Sequence, residues 1–323
     1  MFKKGKMVFY LLVLALVSLL SVNASGEVQK YDIRLGTSFA GGIWAVLGNA
    51  MLEDILKASP NLTGSSSPMG GAANVIGVIQ GKLNIAFSTS DTMGEAWEGT
   101  GDFKDVGKVR NVCILAVIFP SPSQFVVYAD SGITSIPQLK GKKVTPGPRA
   151  SATEITTKKI LEFYGMTTKD VQWRPLGWGE GAEQMIDRHI DALLYGNFVY
   201  PAPPIINVSS QRQIRLLSIS DEVIDKMVKN YKGIEPFTLP AGSYKGVDYP
   251  AKGIATNAIL IVREDMPEDV AYVITKKIAE NFDRYVTVTK AMAMGKVYEM
   301  GKDIGFRHHP GALKFYKEKG WVR

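Results

Sequence analysis

The sequence predicts an α/β protein made of two similar halves that face each other across a cleft. Two internal repeats and the chain length carry that expectation. In the first repeat, a short apolar strand at 33–35 runs into a glycine-rich loop at 36–42. Trp44, Leu47, Met51, Leu52, Ile55 and Leu56 then recur at helical spacing. The same order returns near residue 144: a strand end, a Gly/Ser/Thr loop at 147–153, then a helix carrying Ile155, Ile160, Phe163 and Tyr164. In the second repeat, VIGVIQGKLNIAFSTS (75–90) and QMIDRHIDALLYGN (184–197) each read as helix, polar turn, Asn or Asp, and short apolar strand. A length of 323 residues suits about two domains.

The loops matter because of their chemistry. The first N–H groups of a helix have no partner inside it, and its aligned peptide dipoles favour negative charge there. Strand, small-residue loop and helix start together make an anion-binding arrangement. Glycine lets the backbone approach a ligand closely, and Thr37 and Ser38 add hydroxyls. One such loop is also the plain strand-to-helix turn of any α/β protein. Two of them, at strand ends where open α/β sheets bind ligands, predict a cleft that closes on a small molecule.

Taken in order, the chain opens with a secretory signal peptide at 1–24. Lys3, Lys4 and Lys6 precede an uncharged aliphatic stretch at 7–20, and Ser21-Val22-Asn23-Ala24 places small residues before a cleavage point after Ala24. The apolar stretch is shorter than the roughly 20 residues that span a bilayer. The mature protein is therefore expected outside the cytoplasmic membrane, periplasmic or otherwise extracytoplasmic, and not itself membrane-spanning. No cysteine stands near the cleavage point, which argues against a lipid anchor. The single cysteine, Cys113, lies in an apolar run and reads as a small buried hydrophobe, so no internal disulfide forms.

The first half is expected at 25–124 with 253–323, and the second at 125–252. After the first loop and helix, 61–73 is rich in Ser, Gly and Pro, and a helix and the strand 85–88 follow. Asp91 reads as the N-cap of a short helix containing Trp97. Strands at 112–119 and 125–128 flank Pro120-Ser121-Pro122, and 133–142 reads as a short helix ended by Gly141. A strand at 171–175 leads to Gly177-Trp178-Gly179-Glu180-Gly181, whose spacing is not that of a dinucleotide fingerprint. Aromatics and prolines at 195–204 close this half. The connection at 233–250 returns to a strand at 253–262. Asp265-Met266-Pro267-Glu268 reads as a capping box opening an amphipathic helix, and the tail at 306–316 ends in a short helix.

A hydrophobic fraction of 46% and a mean hydropathy of +0.01 describe a globular chain with material for real cores. The formal charge of +7 includes the three signal lysines, and the remaining basic residues are interspersed with acids. No basic block suggests nucleic acid.

The chain resembles the solute receptors of TRAP transporters, TAXI subfamily, over nearly all of its mature length. The resemblance rests on Gly36-Thr37 with Gly41-Gly42 and Leu47-Gly48, on Gly70-Gly71-Ala72-Ala73-Asn74, on Gln80-Gly81-Lys82-Leu83-Asn84-Ile85-Ala86, and on Ser90-Asp91. It continues through Gly132-Ile133, Leu139-Lys140-Gly141-Lys142-Lys143-Val144, Ser151-Ala152-Thr153-Glu154, Ile190-Asp191-Ala192 and His309-Pro310-Gly311-Ala312. It implies a type II periplasmic binding protein fold, each lobe a mixed sheet flanked by helices. It also implies a receptor that hands an organic anion, such as a dicarboxylate, an oxoacid or an amino acid like glutamate, to a TRAP transporter membrane permease. The chain departs from the family pattern at Phe39 and Ala40, and at Ala45, where an aromatic often follows. It departs again at Ala150-Ser151-Ala152-Thr153, where Gly-Ser-Gly-Thr is usual. These positions fall where ligand would sit, so the resemblance leaves the ligand itself open.

Matched positions give the candidate ligand-binding residues. They are Thr37, Ser38, Gly41, Gly42, Trp44 and Ser90 from the first half, and Arg149, Ser151, Thr153, Trp178 and Asn197 from the second. Hydroxyls and loop N–H groups would bind carboxylate oxygens, and aromatic rings would wall the carbon chain. Arg149 reads either as a bidentate carboxylate clamp or as an exposed loop arginine; as a clamp, its loss would cost about 2 kcal/mol of affinity. Trp44 and Trp178 read either as cavity walls or as core. No catalytic residue, metal ligand or cofactor is expected. His189, His308 and His309 are the only histidines, none stands in a nucleophile motif or at metal-ligand spacing, and no G-x-S-x-G elbow occurs. Besides transport, the sequence leaves open a receptor that presents its ligand to a membrane sensor kinase and, more remotely, a hydrolase.

Overall fold

A computed structural model describes residues 28–38, 42–149 and 151–323. The expected signal peptide and its cleavage point lie outside the described residues, as do Phe39, Ala40, Gly41 and Ala150.

The fold is mixed α/β, and its two sheets share one strand order. In the first, β1 (Tyr31–Thr37) lies between β2 (Leu62–Pro68) and β3 (Ile85–Thr89), parallel to both, and β11 (Ala251–Arg263) runs antiparallel beside β3. In the second, β6 (Lys143–Thr145) lies between β7 (Gln172–Trp173) and β8 (Ala192–Tyr195), parallel to both, and β5 (Gln124–Tyr128) runs antiparallel beside β8. The helices correspond as well. Helices α1 (Ile43–Leu56) and α4 (Ala152–Phe163) follow β1 and β6. Helices α2 (Gly71–Ile79) and α5 (Trp178–Ile186) precede β3 and β8, and α3 (Ser90–Glu98) and α6 (Pro203–Gln211) follow them.

The repeated Asn or Asp has a physical role. Before β3, the Asn84 amide donates to the Arg34 carbonyl at 3.1 Å, and the Arg34 amide donates to Asn84 Oδ1 at 2.9 Å. Before β8, the Asp191 amide donates to the Lys143 carbonyl at 2.8 Å, and the Lys143 amide donates to Asp191 Oδ2 at 2.8 Å. In each half one side chain finishes the ladder between two parallel strands and so sets their register.

The chain crosses between sheets through short segments. Strand β4 (Val112–Pro122) pairs antiparallel with β11, and only Ser123 separates it from β5 of the second sheet. After β9 (Ile214–Leu217), which pairs with β5, helix α7 (Asp221–Asn230) leads to β10 (Glu235–Leu239), which pairs with β11 of the first sheet. The start of β11 bonds to both sides: the Ile254 carbonyl accepts from the Ser123 amide at 2.8 Å, and the Lys252 carbonyl from the Ile219 amide at 2.9 Å. Helices α8 (Glu268–Glu280), α9 (Phe282–Val288) and α10 (Pro310–Glu318) pack on the first sheet, burying Ile274, Ile278, Phe315 and Tyr316 against Leu115 and Leu260.

Several sequence expectations are corrected. The Ser/Gly-rich stretch after residue 61 contains β2, an outer strand held by seven register pairs with β1 rather than by its own apolar residues. Strand β4 continues through Pro120 and Pro122, because its antiparallel partner β11 holds it there. The short helix near 133–142 is a 3₁₀ turn, Ile136–Leu139, closed by a Ser135–Gln138 capping box. Thr89, not Asp91, occupies the cap position of α3, and Asp91 falls in its first turn. Asp265 caps nothing: its carboxylate forms a bidentate pair with Arg263 at 2.7 and 2.9 Å, and Pro267 takes the cap position of α8. Cys113 is buried as expected, and burial raises its thiol pKa. Among the described residues no helix is long and apolar enough to cross a membrane.

Candidate functional site

Between the two sheets lies a cavity of about 710 Å³, walled from both sides. Ser38, Gly42, Ile43, Trp44, Thr89, Phe119, Ser121 and Thr256 come from the first sheet and its helices. Ser151, Ala152, Thr153, Trp178, Asn197, Phe198, Val199, Pro204 and Asn207 come from the second. Described residues of both glycine-rich loops therefore line one hollow.

Helix starts dominate the lining. The first residues of α1, α4 and α5 and the cap residue of α3 all face the hollow. The dipoles and N–H groups of helix starts favour negative charge there. Helix α6 opens with Pro203-Pro204, which offers ring carbon instead of N–H groups. Ser38 Oγ accepts from the Ala45 amide at 3.1 Å, fixing the start of α1. Ser151 is the N-cap of α4: its Oγ accepts from the Glu154 amide at 3.2 Å, donates to the Pro148 carbonyl at 2.6 Å and lies 2.9 Å from Thr153 Oγ1.

The aromatic walls are braced from behind. Trp44 stacks on Phe87 with centroids 5.8 Å apart, and Trp178 packs against Phe198 at 4.4 Å and edge-on to Tyr195 at 5.2 Å. Both indoles line the hollow and also pack on a core. Burial pushes the Tyr195 phenol pKa upward, so this ring stays neutral. Gln124, the first residue of β5, donates to the carbonyls of Phe198 and Val199 at 3.3 and 3.2 Å and accepts from the Tyr244 hydroxyl. That network positions the wall segment ahead of α6.

Of the sequence candidates, Ser38, Gly42, Trp44, Ser151, Thr153, Trp178 and Asn197 share the cavity. Gly41 lies outside the described residues. Three candidates stand elsewhere. The Thr37 hydroxyl is buried and donates to the Ser67 carbonyl at 3.2 Å, closing β1 on β2. Ser90 is buried with its hydroxyl donating to the Gly233 carbonyl and accepting from the Asn257 amide at 2.8 Å, so its neighbour Thr89 faces the hollow instead. Arg149 is exposed and absent from the lining.

Sequence reading missed Ile43, Phe119, Ser121, Phe198, Val199 and Thr256. Phe198 and Val199 fall in the aromatic and proline stretch already noted at 195–204. Ser121 and Thr256 are register partners in β4 and β11, brought together by long-range pairing that leaves no local pattern. Asp91 stands behind the lining, where its Oδ2 accepts from Asn197 Nδ2 at 3.5 Å. Burial raises its carboxyl pKa. Among the described residues no group of three or more His, Cys, Asp or Glu side chains is placed to hold a metal.

Two sheets of matching topology, flanked by helices and separated by a hollow lined by helix starts, are the architecture of periplasmic solute-binding proteins. The chain belongs to the NMT1-like family, whose pattern matches residues 35–320. It is similar in fold to a TctC solute-binding protein from Polaromonas, with 19% identity, coverage of 90% of this chain and 97% of that one, and a TM-score of 0.51. It is also similar to the periplasmic aliphatic sulphonate binding protein SsuA from Escherichia coli, with 14% identity, coverage of 89% and 82%, and a TM-score of 0.50.

Proposed function

We propose that this protein is an extracytoplasmic receptor that captures a small organic anion between two closing lobes and delivers it to a TRAP-type permease. One observation carries the reading: residues from the paired loops, Ser38, Gly42 and Trp44 on one side and Ser151, Thr153 and Trp178 on the other, line the same hollow. An anion there meets N–H groups from both sides at once, so ligand favours the arrangement in which the sides are close, and that differential contact drives closure. The closed form is then the shape a permease recognises. Membership of the NMT1-like family and the solute-binding-protein fold support a binding role over a catalytic one. The motifs shared with TAXI receptors support TRAP delivery and a division into lobes near 25–124 with 253–323 and 125–252, with β10 (Glu235–Leu239) joining the first sheet and Gln124 the second.

Thermal-shift screening against dicarboxylates, oxoacids, amino acids and aliphatic sulfonates tests this. A true ligand at about 100 times its Kd stabilises the protein by about 2.7 kcal/mol and raises Tm accordingly. A flat response across all four classes would reject an organic-anion receptor.

A further inference from the structure

We propose, building on the receptor reading, that the solute is an organic acid with an apolar body and no ammonium group, and that Thr256 donates a hydrogen bond to it. The cavity's charge pattern carries the first part. Among the described residues its lining holds no Asp, Glu, Lys, Arg or His side chain. Helix starts and hydroxyls meet the acid group. Among the described residues the lining supplies no carboxylate to pair with an ammonium group, and an ion buried without a counter-charge is strongly disfavoured. The walls facing the rest of the solute are Ile43, Trp44, Phe119, Trp178, Phe198 and Val199. They exclude water and reward apolar surface. The Asp91 carboxylate is not part of the lining: its Oδ2 accepts from Asn197 Nδ2 at 3.5 Å, and its Oδ1 is buried without a hydrogen-bond partner, which is why Asp91 enters the test below.

Thr256 carries the second part. Its side chain is 0% exposed, lines the cavity from β11, and its Oγ1 finds no hydrogen-bond partner. A buried hydroxyl left unpaired costs stability, and an acceptor oxygen of a solute held against Thr256 is the partner the proposal assigns to it. Carboxylate and sulfonate present the same oxygen acceptors to it.

The test is calorimetric titration of the purified protein with matched probes. The pairs are 3-phenylpropionate against phenylalanine and 4-methylpentanoate against leucine, with hexanesulfonate, succinate and hexanol as further arms. The amine-free acids with apolar bodies should bind at least about ten-fold more tightly than their amino-acid partners, succinate and hexanol. Carboxylates ahead of hexanesulfonate, or the reverse, identifies the headgroup. Tighter binding of an amino acid, lost in Asp91→Asn, would overturn the inference and make Asp91 an amine reader; preference for succinate would overturn the apolar body. Both of those outcomes leave the receptor reading standing, whereas no binding by any probe removes both. For Thr256, Thr256→Val should weaken the best acid by on the order of ten-fold, Thr256→Ser should restore it, and Tm without ligand should not fall. Unchanged affinity in Thr256→Val would overturn the hydroxyl's role.

Discussion

Gly147 shows how one position can shape the hollow without lining it. Its φ of +88° lies in the left-handed region that side chains disfavour, and a Cβ added there would run into the Trp178 ring. Gly147→Ala is expected to lower stability by about 1–2 kcal/mol, mostly strain, and to weaken solute binding by displacing the indole. A denaturant titration and a binding isotherm check the two effects separately. Arg149 makes the opposite case. Exposed and outside the lining, it should tolerate Arg149→Ala with affinity changed by less than about two-fold, as for other solvated charges. Its sequence context, beside a Gly/Ser/Thr loop, looked the same as that of the true lining residues. Which loop side chains turn inward depends on local backbone geometry, and composition carries none of that.

Legibility at the scale of elements followed the repeats. Both glycine loops, both following helices and both helix–turn–strand units stood out because local periodicity and turn residues produce them. Elements held by distant partners did not. Strand β2 carries only one leucine and depends on β1, and β10 depends on β11. The repeat also makes a quantitative prediction. Asp191→Ala removes the acceptor for the Lys143 amide and should cost about 1–2 kcal/mol, with Asp191→Asn recovering much of it. Asn84→Ala should cost more, because Asn84 Nδ2 also donates to the Asp32 carbonyl at 2.7 Å. Urea midpoints of the three variants give the ranking.

For the molecule as a whole, two buried histidines are expected to make stability depend on pH. Burial holds His308 and His309 below the usual imidazole range. In the unfolded chain both take up protons near pH 6.5. The folded state keeps them off, so unfolding binds protons and stability falls as pH drops through about 6.5. A loss on the order of 1–2 kcal/mol per pH unit is expected below that point. The variant His308→Gln/His309→Asn should flatten the profile, with Asn retaining a cap for α10 in place of His309 Nδ1, which accepts from the Gly311 amide at 3.2 Å. An unchanged profile would assign the acid sensitivity to carboxylates instead. The two halves are also joined by the Lys159–Glu95 pair at 2.9 Å, from α4 to α3. The short segment at Ser123 and the start of β11 leave few backbone routes between them.

Trp44 and Trp178 stand on opposite banks of that hollow. The chain's three other tryptophans, Trp97 beneath the Arg110 guanidinium at 3.8 Å, Trp173 and Trp321, do not line it. The protein thus carries a native optical gauge. As water leaves the gap, emission from the two facing indoles should move to shorter wavelength over a steady background from the others, reporting occupancy in real time without any attached dye.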